Sequence, residues 1–201
     1  MADRDYFRHR LHSLLGVIPI GLFLVIHLGA NYQATRGVRA YNQAASFIEH
    51  LPFLLLLEIL FIYLPIVFHA AYGIYLACTS STNVGRFNLM RNWAFTLQRF
   101  SGLFLFIFIL WHVWETRVAA ALGTSLNFEM MHRILSQPAM FVFYAIGMLC
   151  TVFHFSNGLW AFCVHWGLLV SPKSQRIGSY VALILFLFLS CVGIRALVAF
   201  V

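Results

Sequence analysis

The stretch of sequence that decides the fold is an apolar run in the last third of the chain, Phe141 to Phe162, which reads FVFYAIGMLCTVFHFSNGLWAF. It contains no Lys, Arg, Asp or Glu, and it exceeds the roughly 20 residues that an α-helix needs to cross the hydrocarbon core of a bilayer. Its apolar residues do not alternate with polar ones, as they would in a strand of a membrane barrel. The run therefore predicts a membrane-spanning helix, and His154 in its middle is a first candidate for a functional residue.

Four further segments have the same character, so the sequence predicts five membrane-spanning helices. The predicted segments cover residues 12–32, 52–79, 93–114, 138–169 and 177–199. The first is not a cleaved signal, because its apolar run is too long and no small-residue cleavage site closes it. We expect short surface helices in the two longer connections, which follow the first and third segments. The predicted fold class is an all-α integral membrane protein, with residues 1–201 forming a single membrane domain.

The composition of the whole chain excludes other classes of protein. Of its 201 residues, 62% are apolar and only 9% are charged, whereas about 25% are charged in an ordinary soluble domain. This balance excludes a soluble globular protein, a disordered chain and a disulfide scaffold. The net charge is +7, but no run of Lys and Arg occurs, so no nucleic-acid partner is expected. The unusual feature is the nine histidines, which outnumber the carboxylates.

The basic residues predict how the chain is oriented, because cytoplasmic loops carry an excess of Lys and Arg. Eight basic residues belong to the side of the N-terminus and five to the other side. The sequence therefore predicts a cytoplasmic N-terminus and an outer C-terminus. The first group comprises Arg4, Arg8, Arg10, Arg86, Arg91, Arg99, Lys173 and Arg176, and the second comprises Arg36, Arg39, Arg117, Arg133 and Arg195.

Four histidines, one in each of the first four segments, are spaced as a repeat. His27 and His69 are 69 − 27 = 42 residues apart, His112 and His154 are 154 − 112 = 42 apart, and the two halves are offset by 112 − 27 = 85. This spacing predicts a duplicated two-helix unit. At about 1.5 Å per residue, His27 and His112 lie at one level near the outer ends of their helices, and His69 and His154 lie at a second level in the inner half.

Two levels of paired histidines suit two haem groups. Each level joins alternate helices, which can lie diagonally in a four-helix bundle and face each other across its core. Two neutral imidazoles placed in this way can provide both axial ligands of a haem iron. The candidate iron ligands are therefore His27 with His112 and His69 with His154.

Other residues narrow the choice of cofactor. Gly73 and Gly158 each lie one turn after a histidine and are candidates for haem packing, because a missing side chain leaves room for a flat macrocycle. No Cys-x-x-Cys-His motif occurs, which excludes a c-type haem. The four cysteines show no metal-ligand spacing, which argues against zinc. A haem-free transporter with a histidine proton relay is an alternative, although only Glu58 lies within a predicted span. A haem-free structural anchor is another.

The histidine pattern and three short motifs resemble a known family. Arg10-Leu-His-Ser-Leu-Leu-Gly16, His112-Val-Trp114 and His154-Phe-Ser-Asn-Gly-Leu-Trp160 resemble the di-haem cytochrome b (b558) membrane anchor of succinate:menaquinone oxidoreductase. The resemblance implies that the first four helices form a bundle around two b haems in a bacterial cytoplasmic membrane. It also implies a flavoprotein that oxidises succinate, an iron–sulfur subunit on the cytoplasmic face, and menaquinone as electron acceptor, with no succinate site in this chain. Di-haem fumarate reductase anchors share the fold, so the direction of the reaction stays open.

The same resemblance implies roles for individual residues. It makes the haem between His69 and His154 proximal to the iron–sulfur partner and the other haem distal. The partner is expected to dock on the basic inner face of the chain, which includes Arg8, Arg10, Arg91 and Lys173. Positive-inside topology alone would also account for these basic residues.

Candidates for the haem propionates follow from the resemblance and from the depth of the residues, and candidates for the quinone follow from its need for a polar group with access to water. The propionate candidates, each of which equally suits the interfacial belt, are His12, Ser13, Trp93, Arg99 and His165. The quinone-site candidates are Glu58, near the level of the distal haem, and Glu49 and His50, just outside it. For Glu58 the alternative is a carboxylate paired with an arginine or held in a polar network beside the haem.

Overall fold

The computed structural model describes residues 2–81, 84–87 and 89–201, with side chains from Asp5 onward, so the side chain of Arg4 lies outside it. The described residues form helices and no strand. The α-helices are α1 (Ala2–Val17), α2 (Pro19–Tyr32), α3 (Val38–Glu49), α4 (Leu54–Glu58), α5 (Leu64–Thr79), α6 (Met90–Val113), α7 (Ala119–Ala121), α8 (Phe128–Leu135), α9 (Pro138–His165) and α10 (Pro172–Val198). A 3₁₀ turn covers Gln33–Arg36, and π-helical turns cover Ile59–Tyr63 and Trp114–Val118.

Five stretches of the described chain are long and apolar enough to cross a membrane, which confirms the predicted all-α membrane fold. They are span 1 (Asp5–Arg36), span 2 (Leu54–Thr79), span 3 (Met90–Ala121), span 4 (Pro138–His165) and span 5 (Pro172–Val198). Their outward side chains, such as Leu22, Ile107 and Leu187, are more than half exposed, as lipid-facing residues are. We call the end of the molecule with the N-terminus the N-side and the opposite end the C-side.

Spans 4 and 5 differ from their predicted boundaries because of local turn chemistry. Span 4 ends at His165 rather than at 169, since Gly167 adopts a left-handed backbone conformation with φ of 73°. Span 5 begins at Pro172 rather than at 177. Ser171 caps it by accepting a hydrogen bond from the backbone N–H of Ser174, and proline suits the first helical position.

Spans 1 and 3 are longer than the apolar runs that predicted them. Span 1 begins at Asp5 and reaches Arg36, with a break before Pro19, which lacks the backbone N–H that would continue the helix. Span 3 continues beyond residue 114 to Ala121 through a π-helical turn that contains Glu115 and Arg117. The predicted end at 114 was wrong because both charged side chains have partners inside the protein.

The first four spans pack as a bundle. α1 contacts α5 and α9, and α6 contacts the same two helices. Spans 1 and 3 therefore lie diagonally across the bundle, and so do spans 2 and 4. Span 5 packs on α9 and on α2, outside this group of four.

Both long connections contain a surface helix on the C-side, as predicted. The C-terminus packs against both of them: Phe200 is only 2% exposed and lies edge-on to Tyr41 of α3 and beside Phe128 of α8. The Nδ1–H of His132 donates to the Phe200 carbonyl at 2.6 Å. Burial, with the carboxylate of Glu49 as a lesser cause, raises the pKa of Tyr41 to about 12.

Candidate functional site

The bundle brings the four spaced histidines together as two pairs. The ring centroids of His27 and His112 are 5.8 Å apart, and those of His69 and His154 are 6.1 Å apart. Each pair joins two diagonally placed spans, as the spacing predicted. We call His27 with His112 the C-side pair and His69 with His154 the N-side pair, after the end of the molecule that each is nearer.

The separation within each pair fits two imidazoles on opposite sides of one metal ion. A bond from imidazole nitrogen to a metal is about 2.0–2.1 Å and the ring centre lies about 1 Å behind the nitrogen, so the two centres should be about 6 Å apart. The observed separations of 5.8 and 6.1 Å meet this requirement. Within the described residues no three His, Cys, Asp or Glu side chains converge as a metal site. Two imidazoles per site suit a metal held by a macrocycle better than zinc.

Backbone carbonyls of neighbouring spans orient the N-side pair. His69 Nδ1–H donates to the carbonyl of His12 at 2.9 Å, and His154 Nδ1–H donates to the carbonyl of Gln98 at 3.1 Å. A ring that donates through Nδ1 leaves the Nε2 lone pair available to a metal. Positions 12 and 98 are offset by 98 − 12 = 86 residues, which is one residue more than the offset of 85 between the spaced histidines. The repeat therefore extends to the hydrogen bonds that orient the imidazoles.

Two glycines of the same repeat provide the space for these rings. A Cβ atom on Gly16 would lie 2.5 Å from Cε1 of His69, and one on Gly102 would lie 3.0 Å from Cε1 of His154. Real Cβ atoms do not approach another atom as closely as 2.5 Å, so at least Gly16 requires glycine for this ring position.

The two predicted haem-packing glycines have different neighbours. A Cβ on Gly73 would lie 3.2 Å from His12 Cε1, and a Cβ on Gly158 would lie 3.3 Å from Gln98 Nε2. The space beside each glycine is therefore filled by a side chain, in one half of the repeat by His12 and in the other by Gln98. Their role in haem packing stays a prediction.

A polar network surrounds His112 of the C-side pair. The hydroxyl of Tyr144 lies 3.4 Å from His112 Nδ1 and donates a hydrogen bond to Glu115 Oε2 at 2.9 Å. Trp111 Nε1–H donates to the same carboxylate oxygen at 3.0 Å. Tyr144 itself is only 3% exposed.

His27, the other member of the C-side pair, is held by its own helix. Asn31 Nδ2 donates to the His27 carbonyl at 2.8 Å and lies 3.3 Å from His27 Nε2. In the other half of the repeat, Thr116 donates to the carbonyl of His112 at 2.6 Å. Binding a metal through Nε2 therefore requires His27 to release the Asn31 amide.

Buried polar atoms without a hydrogen-bond partner occur near the N-side pair. Among the described residues they include Arg10 Nε, His12 Nδ1 and Arg99 Nη1. The His12 ring stacks on that of His69, with centroids 4.0 Å apart. Because a buried donor without an acceptor is costly, the two arginine atoms fit an anionic group bound at this end. Arg99 and His12 were predicted for such contacts and Arg10 was not.

The other propionate candidates have partners within the protein or lie at its surface. The Ser13 hydroxyl donates to the Arg10 carbonyl at 2.9 Å and accepts a hydrogen bond from Trp166 Nε1 at 3.2 Å. The exposed His165 donates through Nδ1 to the Ala161 carbonyl at 3.0 Å. Trp93 is 48% exposed.

Of the quinone-site candidates, Glu58 is the one with a partner in another span. Its two carboxylate oxygens accept hydrogen bonds from Arg117 Nε and Nη2, both at 2.9 Å. The carboxylate of Glu58 is thus paired with an arginine, and its part in a quinone site stays a prediction. Glu49 and His50 are exposed at the end of α3, and His50 Nδ1–H donates to the Ser46 carbonyl at 2.7 Å.

Sequence reasoning missed several residues of this site. The sequence does align residues 12–16 with residues 98–102, with a one-residue slip from the offset of the histidines, but it did not predict that Gly16 makes room for His69 or that the Gln98 carbonyl orients His154. No comparable signal was available for Glu115 and Arg117, which lie beyond the apolar run of their segment.

The chain is similar to a known family of membrane subunits and, over its full length, to one relative. The family described as "Succinate dehydrogenase/Fumarate reductase transmembrane subunit" matches residues 80–193. The chain is also similar to the succinate dehydrogenase cytochrome b558 subunit of Bacillus subtilis (strain 168), with 55% identity over 200 residues, which cover 100% of this chain and 99% of the relative. The similarity thus extends over both halves of the histidine repeat.

Proposed function

Because this chain belongs to the family of transmembrane subunits of succinate dehydrogenase and fumarate reductase, we propose that it carries electrons from an iron–sulfur subunit through two b haems to menaquinone. The observation that carries the proposal is the pair of facing imidazoles at each of two levels, with ring centres 5.8 and 6.1 Å apart. The similar protein of Bacillus subtilis is a cytochrome b558 subunit, which supports haem b as the cofactor.

The four histidines are the proposed axial ligands. His69 and His154 hold the haem on the N-side, and His27 and His112 hold the haem on the C-side. A bound haem supplies a one-electron carrier whose potential depends on its ligands and their hydrogen bonds. The chain's own contribution is to present neutral imidazoles, and the Nδ1 hydrogen bonds of His69 and His154 fix the tautomer that leaves Nε2 free.

Arg10, His12 and Arg99, whose buried polar atoms lack a hydrogen-bond partner, are proposed to hold the propionates of the N-side haem. Arginine suits this task because its fork of N–H donors matches a carboxylate. Ser13, Trp93 and His165 remain candidates at the same end.

The N-side is proposed to face the cytoplasm and to dock the iron–sulfur subunit, which connects to the flavoprotein. The excess of basic residues at this end supports that orientation in a bacterial cytoplasmic membrane. Residues that would meet the partner include Arg8, Arg10, Arg91 and Lys173. The reaction is proposed to run from succinate to menaquinone, and a fumarate reductase that runs the reverse reaction is the second candidate, since the matching family includes both.

The quinone site is proposed on the C-side, close to the ion pair of Glu58 and Arg117. Reduction of a quinone consumes protons, and Glu58 is an acidic group near the level of the C-side haem. Glu58 directly precedes one π-helical turn and Arg117 lies within another, and such turns are frequent at functional sites. Glu49 and His50, exposed at the end of α3, remain candidates for the same site.

The optical spectrum of the purified complex tests the proposal. We expect the sharp reduced α-bands of bis-imidazole b haems and a stoichiometry of two haems per chain. A chain purified with its partner subunits but without Soret absorbance would refute it and would favour the histidine-relay transporter or the structural anchor.

A further inference from the structure

The four proposed iron ligands differ in what orients them. On the N-side, His69 and His154 both donate to neutral backbone carbonyls. On the C-side, His27 interacts with the neutral amide of Asn31. Among the contacts of the described residues, only His112 is connected to a carboxylate, through Tyr144.

The directions of these hydrogen bonds follow from the groups involved. A carboxylate accepts only, so the Tyr144 hydroxyl hydrogen points to Glu115 Oε2, at 2.9 Å. The Tyr144 oxygen is then available as acceptor for the Nδ1–H of His112, at 3.4 Å. His112 is thereby left with Nε2 as the nitrogen whose lone pair can bind a metal.

Tyr144 and Glu115 are both held in place by other contacts. The Tyr144 ring packs edge-on against Phe108, with centroids 5.5 Å apart, and edge-on against His112 at 5.6 Å. Trp111 donates to the same Glu115 oxygen as Tyr144 does. The packing of spans 3 and 4 therefore fixes the positions of Glu115, Tyr144 and His112 relative to one another.

Hydrogen bonding to the outer nitrogen of a ligating histidine makes the imidazole a stronger electron donor to its metal. A stronger donor stabilises oxidised iron and lowers the reduction potential. On the basis of the proposed function, we infer that Glu115 is a positioning residue that acts through Tyr144 and His112 to lower the midpoint potential of the C-side haem relative to the same haem without this carboxylate. Among the described residues, no carboxylate is connected to His69 or His154, so the N-side haem should be unaffected.

A redox titration of the intact complex, followed in the haem α-bands, tests this inference with Glu115→Gln. The substitution keeps the size and an acceptor oxygen but removes the charge. At a fixed ambient potential, we expect the ratio of reduced to oxidised C-side haem to rise about tenfold, which is about 59 mV for a one-electron couple. The N-side haem should keep its midpoint. Tyr144→Phe removes the hydroxyl that connects Glu115 to His112, so it should also raise the midpoint potential of the C-side haem.

Glu129→Gln is the matched control, since it removes one negative charge from the exposed face of α8, also on the C-side, without a contact to either pair. The C-side haem is identified as the one lost when His27 is replaced. The inference is overturned if Glu115→Gln leaves the midpoint potential of the C-side haem unchanged or shifts it no more than Glu129→Gln does. It is also overturned if the midpoints of both haems shift equally, or if the C-side haem is lost. Absence of two haems from the unmodified complex would instead refute the proposed function.

Discussion

Single residues decide whether an imidazole inside a membrane span is presented to a metal. An imidazole surrounded by lipid-facing helices has few acceptors for its N–H group, and an unsatisfied polar group in that environment costs several kcal/mol by order of magnitude. Here the Nδ1 atoms of His69 and His154 have carbonyl acceptors, and that of His112 has a hydroxyl oxygen. Glycine at position 16 then lets the His69 ring approach span 1.

Replacing Gly16 by alanine should therefore disturb the N-side pair. The added Cβ would lie 2.5 Å from His69 Cε1, so the ring must move away from the carbonyl of His12. Overpacking of this kind costs about 1–3 kcal/mol, and loss of a group that orients a metal ligand typically lowers metal affinity about 10–100-fold. We expect the haem content of the N-side site to fall, as measured by difference spectra at limiting haem.

Gly29→Ala is the control for this experiment, because it lies in the same span and a Cβ there meets nothing within 4 Å. It should retain both haems. Equal loss in the two variants would show that the contact between Gly16 and His69 has no role in presenting the ligand.

The four candidate ligands were predictable because an imidazole is costly inside a membrane span, and a regular repeat of such residues favours a bound cofactor. The residues that orient His112 were not predictable. Tyr144 is one of many aromatic residues in its segment, and its contact with Glu115 depends on the rotation of span 4 against span 3, which apolar periodicity does not determine when a helix is apolar on all sides.

Elements outside the spans hold the C-side of the bundle together. α3 and α8 lie against the C-terminal residues, and the core on this side includes Met131, Leu135, Tyr144 and Phe200. The existence of these surface helices was predictable from the apolar residues scattered in polar connections. The ends of the spans were less predictable. Span 4 ends where Gly167 adopts a left-handed backbone conformation, and span 3 continues because Glu115 and Arg117 have partners in other spans.

Phe200→Ala should loosen this end of the protein. The side chain is 2% exposed and fills the space between Tyr41 and Phe128, and truncating a buried phenylalanine costs about 3–5 kcal/mol. We expect a lower midpoint of thermal unfolding in detergent and faster proteolysis within α3 or α8. Val201→Ala, at a neighbouring residue that is 67% exposed, should leave both unchanged. A midpoint in Phe200→Ala equal to that of the unmodified protein would contradict the packing described for the C-terminus.

At the scale of the whole molecule, the bundle holds two histidine pairs at two levels between the N-side and the C-side. Spans 1 and 3 run from N-side to C-side, and spans 2 and 4 return, so each diagonal joins helices of the same direction. The two proposed haems would thus lie one near each end of the bundle, which is the arrangement that the proposed electron transfer across the membrane requires.

The proposed orientation is tested by labelling single cysteines in a variant without the four native ones. Lys173→Cys lies on the N-side and Thr124→Cys on the C-side, and both positions are exposed. A membrane-impermeant thiol reagent applied to intact cells should label the Thr124→Cys variant and not the Lys173→Cys variant, because the excess of basic residues predicts a cytoplasmic N-side. The reverse pattern would mean that the chain is inserted the other way.

The central claim is that the histidines bind two haems as the pairs His27 with His112 and His69 with His154. The most direct test is the haem content and reduced-minus-oxidised spectrum of the complex with each histidine replaced by alanine in turn. We predict that His27→Ala and His112→Ala lose the same haem and keep the other. His69→Ala and His154→Ala should show the complementary loss. Loss of the same haem in His27→Ala and His69→Ala would contradict the pairing.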